Sequence, residues 1–75
     1  MYLLVEANTD KGRRRFIIGG ESGREAETLM RTFVDEGDRI MDESGEWFEA
    51  SEIDVASIAA NDLPVRRSGA LHLVM

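Results

Sequence analysis

The chain has 75 residues, no cysteine, and fifteen acidic against nine basic side chains, which give a net charge of −6. The lack of cysteine excludes disulfides and thiolate metal sites, and the negative charge opposes direct binding to nucleic acid or to an anionic membrane surface. A chain of this length forms one domain with a thin core, so we expect a single domain over residues 1–75. No apolar run approaches the length of a membrane span, and the cytoplasm is the expected location.

The first predicted element is a β-hairpin. Residues 2–8 and 13–18 alternate as strands do, and the segment 9–12 between them has the composition of a tight turn. Alternation places Tyr2 and Leu4 on the face opposite the other apolar residues of the first strand.

A helix is predicted over residues 23–36. Ser22 and Glu25 form a capping box, and Gly37 is a typical left-handed stop. Apolar residues follow at the spacing of a single helical stripe: Ala26, Leu29, Met30, Phe33 and Val34.

Short strands are predicted after the helix, at 39–42 and 47–50, joined by a turn at 43–46. Alternation of apolar residues at 71–75 predicts a closing strand that contains the single histidine, His72.

The segment 51–61 carries two conflicting signals. Alternation from Ile53 to Ser57 favours a strand, whereas Ala59 and Ala60, with a possible cap at Ser51, favour a helical turn. We expect a turn at 51–54 followed by a short strand. The predicted fold is α+β, with one helix packed on an antiparallel sheet in the order β-β-α-β-β followed by one or two short strands.

The motifs that resemble reactive sites are incomplete. The glycines at 19–23 open a helix as a phosphate loop does, but three glutamates crowd that end and the Walker lysine is absent. The segment 42–46 lacks the ligand spacing of an EF-hand. The sequence contains no nucleophile motif that would accompany His72 in a catalytic site. We therefore predict no enzyme, no cofactor, no metal site and no catalytic residue.

The charge is distributed unevenly along the chain. Residues 1–20 and 63–75 each have a net charge of +2, whereas residues 21–62 have −10. Within 35–54, nine acids stand against Arg39 alone.

Two interpretations of this acidic segment are open, a face that keeps the protein soluble and a binding face. Asp35 and Glu36 favour the second, because the helix dipole prefers cations at that end and uncompensated local conflicts tend to mark functional sites. The arginine triplet at 13–15 could neutralise part of the segment by folding over it.

Apolar side chains are also predicted on the sheet face that a single helix leaves uncovered, among them Tyr2, Leu4, Ile17 and Trp47. Either residues 51–75 cover this face or another chain does. A tryptophan within an acidic rim has the composition of an interface hot spot. The predicted partner-binding residues are Asp35, Glu36, Asp38, Asp42, Glu43, Glu46, Trp47, Glu49, Glu52 and Asp54.

In size, acidity and element order the chain resembles phage-encoded anti-CRISPR and anti-restriction inhibitors, a resemblance that carries over no functional residue. It implies a protein partner in a bacterial defence complex, such as a CRISPR–Cas complex in the host cytoplasm. The carboxylates would occupy a basic, nucleic-acid-binding surface, as in a DNA mimic. The alternative is a small structural or assembly module that homodimerises through an apolar sheet face.

Overall fold

The structure, a computed structural model, describes residues 1–65. Its elements are, in chain order, β1 (Tyr2–Thr9), β2 (Gly12–Gly19), α1 (Gly23–Asp35), β3 (Ile40–Met41), β4 (Trp47–Phe48), the 3-10 helices η1 (Ala50–Glu52) and η2 (Val55–Ser57), and β5 (Ala59–Pro64). The predicted α+β class and the order β-β-α-β-β followed by a further strand are confirmed. The strand predicted at 71–75 lies outside the described residues.

The predicted N-terminal hairpin is confirmed. β1 and β2 pair antiparallel from Tyr2 opposite Gly19 to Thr9 opposite Gly12. Gly12 takes a positive φ of 100° to close the turn, a conformation that glycine adopts without steric cost. β5 pairs antiparallel with the other edge of β1, which gives a three-stranded sheet in the order β2-β1-β5.

Helix α1 packs on one face of this sheet. The buried residues of the shared core are Leu3, Val5, Ala7, Phe16, Ile18, Ala26, Met30, Ile40, Phe48, Ile53 and Ile58. Strand alternation places Tyr2, Leu4, Glu6, Arg15 and Ile17 on the other face, which we call the open face.

The ends of α1 are formed as the sequence predicts. The amide of Glu25 donates to the Ser22 hydroxyl at 3.2 Å, and Gly37 has a φ of 78° just after the last turn. A second contact was not predictable from the sequence: the Gly23 amide donates to the Asp62 carboxylate at 2.6 Å. Three of the first amides of the helix, those of Gly23, Glu25 and Ala26, are therefore already bonded within the fold.

Side chains of α1 also bond the backbone of the last strand segment. The Glu27 carboxylate accepts from the Ala60 amide at 2.9 Å, and the Arg31 guanidinium donates to the Ile58 carbonyl at 3.1 Å. Glu27 and Arg31 form the i, i+4 ion pair expected of their spacing, at 3.5 Å. The helix thus covers the outer edge of β5.

The strand predicted directly after residue 54 is wrong in its position. η1 and η2 replace it, Ile53 makes only an isolated bridge with Thr9, and β5 begins at Ala59. The reason is local capping: the Asp54 carboxylate accepts from the Ala56 amide at 3.1 Å, and such side-chain bonds offer the backbone an alternative to a sheet ladder.

β3 and β4 form a separate two-stranded hairpin, shorter than predicted. Ile40 and Phe48 point into the core, and the Phe48 ring meets Phe16 edge-on with centroids 6.0 Å apart. Trp47 points the opposite way and is 48% exposed. Trp47 therefore does not share the open face of the main sheet with Tyr2, Leu4 and Ile17, which corrects the sequence-based grouping.

Candidate functional site

The turn between β3 and β4 is organised around the carboxylate of Asp42, which is only 4% exposed. Its Oδ1 accepts from the Ser44 amide at 3.0 Å, the Ser44 hydroxyl at 2.7 Å and the Glu46 amide at 2.9 Å. Its Oδ2 accepts from Arg14 at 3.3 Å. These bonds hold the turn in shape and connect it to Arg14 of β2, so Asp42 has a structural role. Its predicted role in partner binding stays a prediction.

These bonds set the pKa of Asp42. Burial by itself raises the pKa of a carboxyl group, but the hydrogen bonds from Ser44, Glu46 and Arg14 outweigh it and hold the pKa of Asp42 below its ordinary value of 3.8. The side chain is thus held as a carboxylate inside the fold.

Bases from the β1–β2 hairpin neutralise the acids of this turn. Lys11 bonds Glu46 at 2.8 Å and Arg14 bonds it at 3.1 Å, while Arg15 pairs with Glu43. The hydrogen bond to Lys11 lowers the pKa of Glu46, and the same bond raises the pKa of Lys11.

The predicted site therefore divides in two. Glu43 and Glu46 are compensated by Arg14, Arg15 and Lys11, the internal neutralisation that the sequence left open. The Arg14 guanidinium and the Lys11 ammonium each lie 5.5 Å from the centroid of the Phe48 ring, which fixes them over this turn. Arg13 is directed elsewhere and bonds Glu6 at 2.9 Å on the open face.

Six of the predicted partner-binding residues take part in no ion pair within residues 1–65. They form what we call the residual acidic surface: Asp35, Glu36, Asp38, Glu49, Glu52 and Asp54. Asp35 ends α1, Glu36 caps it, and the last turn contains no basic residue. Both acids thus lie where the partial negative charge of the helix end disfavours them.

Two of the remaining residues of the residual acidic surface, Glu52 and Asp54, also stabilise the local fold. Glu52 accepts from the Glu49 amide at 2.7 Å, and Asp54 caps η2. Substitution of these residues would disturb the local fold, whereas Asp35, Glu36 and Asp38 are exposed and make no side-chain hydrogen bond within residues 1–65.

In the sequence, an aromatic side chain lies between Asp38 and Glu49. The Arg39 guanidinium lies 4.9 Å from the centroid of the exposed Trp47 ring, a cation–π contact. α1 packs against η1, which follows Trp47 by two residues in the chain. The sequence placed Trp47 in the site but missed Arg39, whose only signal was its position as the lone base of the segment.

Other kinds of site find little support in the described part of the chain. No group of three or more His, Cys, Asp or Glu side chains within residues 1–65 is arranged to hold a metal ion. Over the same residues, α1 is too short and too polar to cross a bilayer, and no other helix qualifies. His72 lies outside the described residues.

The structure is that of a small α+β protein with the residual acidic surface and an exposed Trp47. Comparison with protein-family models, with curated proteins and with solved structures found no match to this chain.

Proposed function

We propose that the protein binds a basic surface of a partner protein through the residual acidic surface and Trp47, and inhibits that partner. The observation that carries the proposal is the selective neutralisation of the acidic segment. Bases compensate the acids of the β3–β4 turn, whereas the six carboxylates of the residual acidic surface take part in no ion pair within residues 1–65.

The two parts of this surface serve different steps of binding. Uncompensated carboxylates speed the encounter with a cationic surface through long-range attraction. A tryptophan that loses its remaining contact with water on binding contributes to slow dissociation. Trp47 is still 48% exposed, so it has this contact area to lose.

The proposed partner is a protein that binds nucleic acid, because the Lys and Arg side chains that hold phosphates attract carboxylates equally. The resemblance to anti-CRISPR and anti-restriction inhibitors supports a CRISPR–Cas or other defence complex in the host cytoplasm. In this proposal the protein is not an enzyme, binds no cofactor and does not contact nucleic acid itself.

The test uses purified CRISPR–Cas effector complexes and restriction endonucleases as probes. We expect at least one to bind the protein, to lose affinity as salt rises, and to release its DNA in a gel-shift assay. The variant D35N/E36Q should bind that partner about tenfold more weakly, since each lost charge-assisted contact contributes about 0.5–1 kcal/mol.

The matched control is E21Q/E25Q, which removes the same charge at the opposite end of α1. Equal affinity for the parent protein, D35N/E36Q and the control would contradict the proposed site. Trp47→Ala should weaken binding without loss of the fold, because Trp47 lies outside the buried core.

A second candidate function, a homodimerising assembly module, is favoured by the open face. Tyr2 is 45% and Leu63 is 72% exposed, and a shallow depression of about 270 Å³ lies beside Leu4. Exposed apolar patches of this kind mark contact surfaces. Light scattering over a range of concentrations distinguishes this module from a monomeric inhibitor.

A further inference from the structure

Both aromatic rings of β4 contact cations, but the cations are not held equally firmly. At Phe48, the Lys11 ammonium and the Arg14 guanidinium lie 5.5 Å from the ring centroid, and each also forms an ion pair with an acid of the β3–β4 turn. At Trp47, the Arg39 guanidinium lies 4.9 Å from the ring centroid. Arg39 takes part in no ion pair within residues 1–65, so it lacks the second contact that fixes the other two cations.

The contact between Arg39 and Trp47 is also exposed. Alternation along β4 buries Phe48 in the core and directs Trp47 outward, where the ring keeps 48% of its surface in contact with water. Arg39 is exposed as well. A cation–π contact at an exposed site stabilises only weakly, so a cation from another molecule can replace Arg39 on the ring at little cost.

The contact indicates which cation suits the ring. A guanidinium is planar and weakly hydrated, so it stacks on aromatic faces, whereas an ammonium is compact and strongly hydrated. Arg39 shows that the Trp47 ring accepts a guanidinium in this position. The net charge of −6 attracts cations to the protein, and tryptophan and arginine are both enriched among the residues that contribute most to protein interfaces.

We propose that Trp47 binds an arginine side chain of the partner protein, and that Arg39 occupies the position of that arginine in the free protein. The inference rests on the proposed function and adds the kind of side chain that is recognised. Arg39 is then a competitor within the chain, which the arginine of the partner displaces from the ring. Removal of the Arg39 guanidinium therefore tightens binding, although Arg39 belongs to the binding surface.

The first test follows the Arg39 side chain by NMR in the full chain. The ring current of Trp47 should shift the Cδ protons of Arg39 upfield in the parent protein but not in Trp47→Leu. Addition of a short arginine peptide should move these protons towards their position in Trp47→Leu, because the peptide displaces Arg39 from the ring. A lysine peptide of the same length should need a higher concentration for the same change.

The second test measures affinity for the same peptides, labelled with a dye, by fluorescence anisotropy. Arg39→Gln should lower the dissociation constant of the arginine peptide about two- to fivefold, the factor that corresponds to one exposed cation–π contact. Arg39→Lys keeps the charge but removes the planar group, and it should lower the constant about twofold. The matched control Arg24→Gln removes the same charge from another exposed arginine and should have a smaller effect than Arg39→Gln. Trp47→Leu should remove the preference for arginine over lysine.

Several results would overturn the proposal. Cδ protons of Arg39 that keep their shift when the peptide is bound would show that Arg39 is not displaced. Weaker or unchanged binding in both Arg39 variants would show that Arg39 does not compete. An arginine peptide that does not bind the parent protein, or that binds Trp47→Leu equally well, would exclude the ring as its site.

The peptide measurements are independent of the test of the proposed function. If an effector complex binds the parent protein and its affinity is the same for Arg39→Gln, the proposed function is supported and the competition by Arg39 is refuted. If the peptides compete with Arg39 but no effector complex or endonuclease binds, the arginine site is supported and the proposed function is refuted.

Discussion

Neutralising the acids at the end of α1 should stabilise the fold while it weakens partner binding. Asp35 and Glu36 lie at the helix C-terminus, with no base in the last turn. An exposed acid there costs about 0.3–1 kcal/mol, so D35N/E36Q should raise the free energy of unfolding by about 1 kcal/mol. For a domain of this size such a gain raises Tm by about 4–8 °C.

Thermal and urea unfolding followed by circular dichroism measure this change. The control E21Q/E25Q removes the same charge at the N-terminus of α1, where Glu25 lies in the first turn and accepts from the Glu21 amide at 3.1 Å. Because acids stabilise that end, the control should lower the free energy of unfolding. If both variants shift stability in the same direction, net-charge repulsion is the cause and the helix-end argument fails.

Substitutions at Asp42, Glu27 and Gly23 test the fold that holds the site. Asp42→Ala should lower the free energy of unfolding by about 2–4 kcal/mol, since it leaves several buried donors unbonded. The pKa of Asp42 is lowered in the fold, so its contribution to stability is present above pH 3.8 and is lost as the pH falls through the folded pKa. Asp42→Asn should therefore remove part of the loss of stability in acid, as acid titration of unfolding will show. Glu27→Ala should cost about 1–3 kcal/mol in urea unfolding, because the Ala60 amide loses its acceptor. Gly23→Ala should cost about 1–3 kcal/mol by forcing α1 away from β5, whereas Gly19→Ala, whose Cβ would lie 4.0 Å from its nearest neighbour, should change Tm little.

Local sequence signals were sufficient for the hairpin and the helix. The turn at 9–12 and the alternation on both sides of it determine β1 and β2 without reference to distant residues. The cap at Ser22, the apolar stripe and Gly37 likewise place α1 within a residue of its observed ends. Both elements are long enough for periodicity to be decisive.

Elements stabilised by distant contacts were not predictable in the same way. η2 forms because Asp54 and Ser57 bond local backbone groups, and Ser57 also accepts from the Asn8 amide at 2.7 Å. No pattern within 51–61 indicates that contact. The close approach of Gly23 to β5 is equally invisible, because it depends on where Asn61 lies in space.

The sequence predicted which residues form the candidate site, but not which of its acids pair with bases and which do not. Charge counting identified the acidic segment, and it also raised the arginine triplet as a possible counter-charge. Only the structure shows that Arg14 pairs with Asp42 and Glu46 and Arg15 with Glu43, while Arg13 pairs with Glu6. Alternation places Arg14 on the covered face and both Arg13 and Arg15 on the open face, so alternation by itself does not predict that Arg15 reaches Glu43.

Charge compensation in this fold follows burial. The most buried carboxylate, Asp42, has the most partners, whereas exposed Asp35 and Glu36 have no ion pair within residues 1–65. Exposure alone does not distinguish a binding surface from a solvated one, because a carboxylate in water needs no partner. We propose that the position of Asp35 and Glu36 favours a binding surface, since a solubilising charge serves equally well at the start of a helix, where it also stabilises. Acids at the end of α1 that lower stability and raise affinity for a basic partner are therefore the specific signature of a binding surface, and D35N/E36Q measures both quantities in one protein.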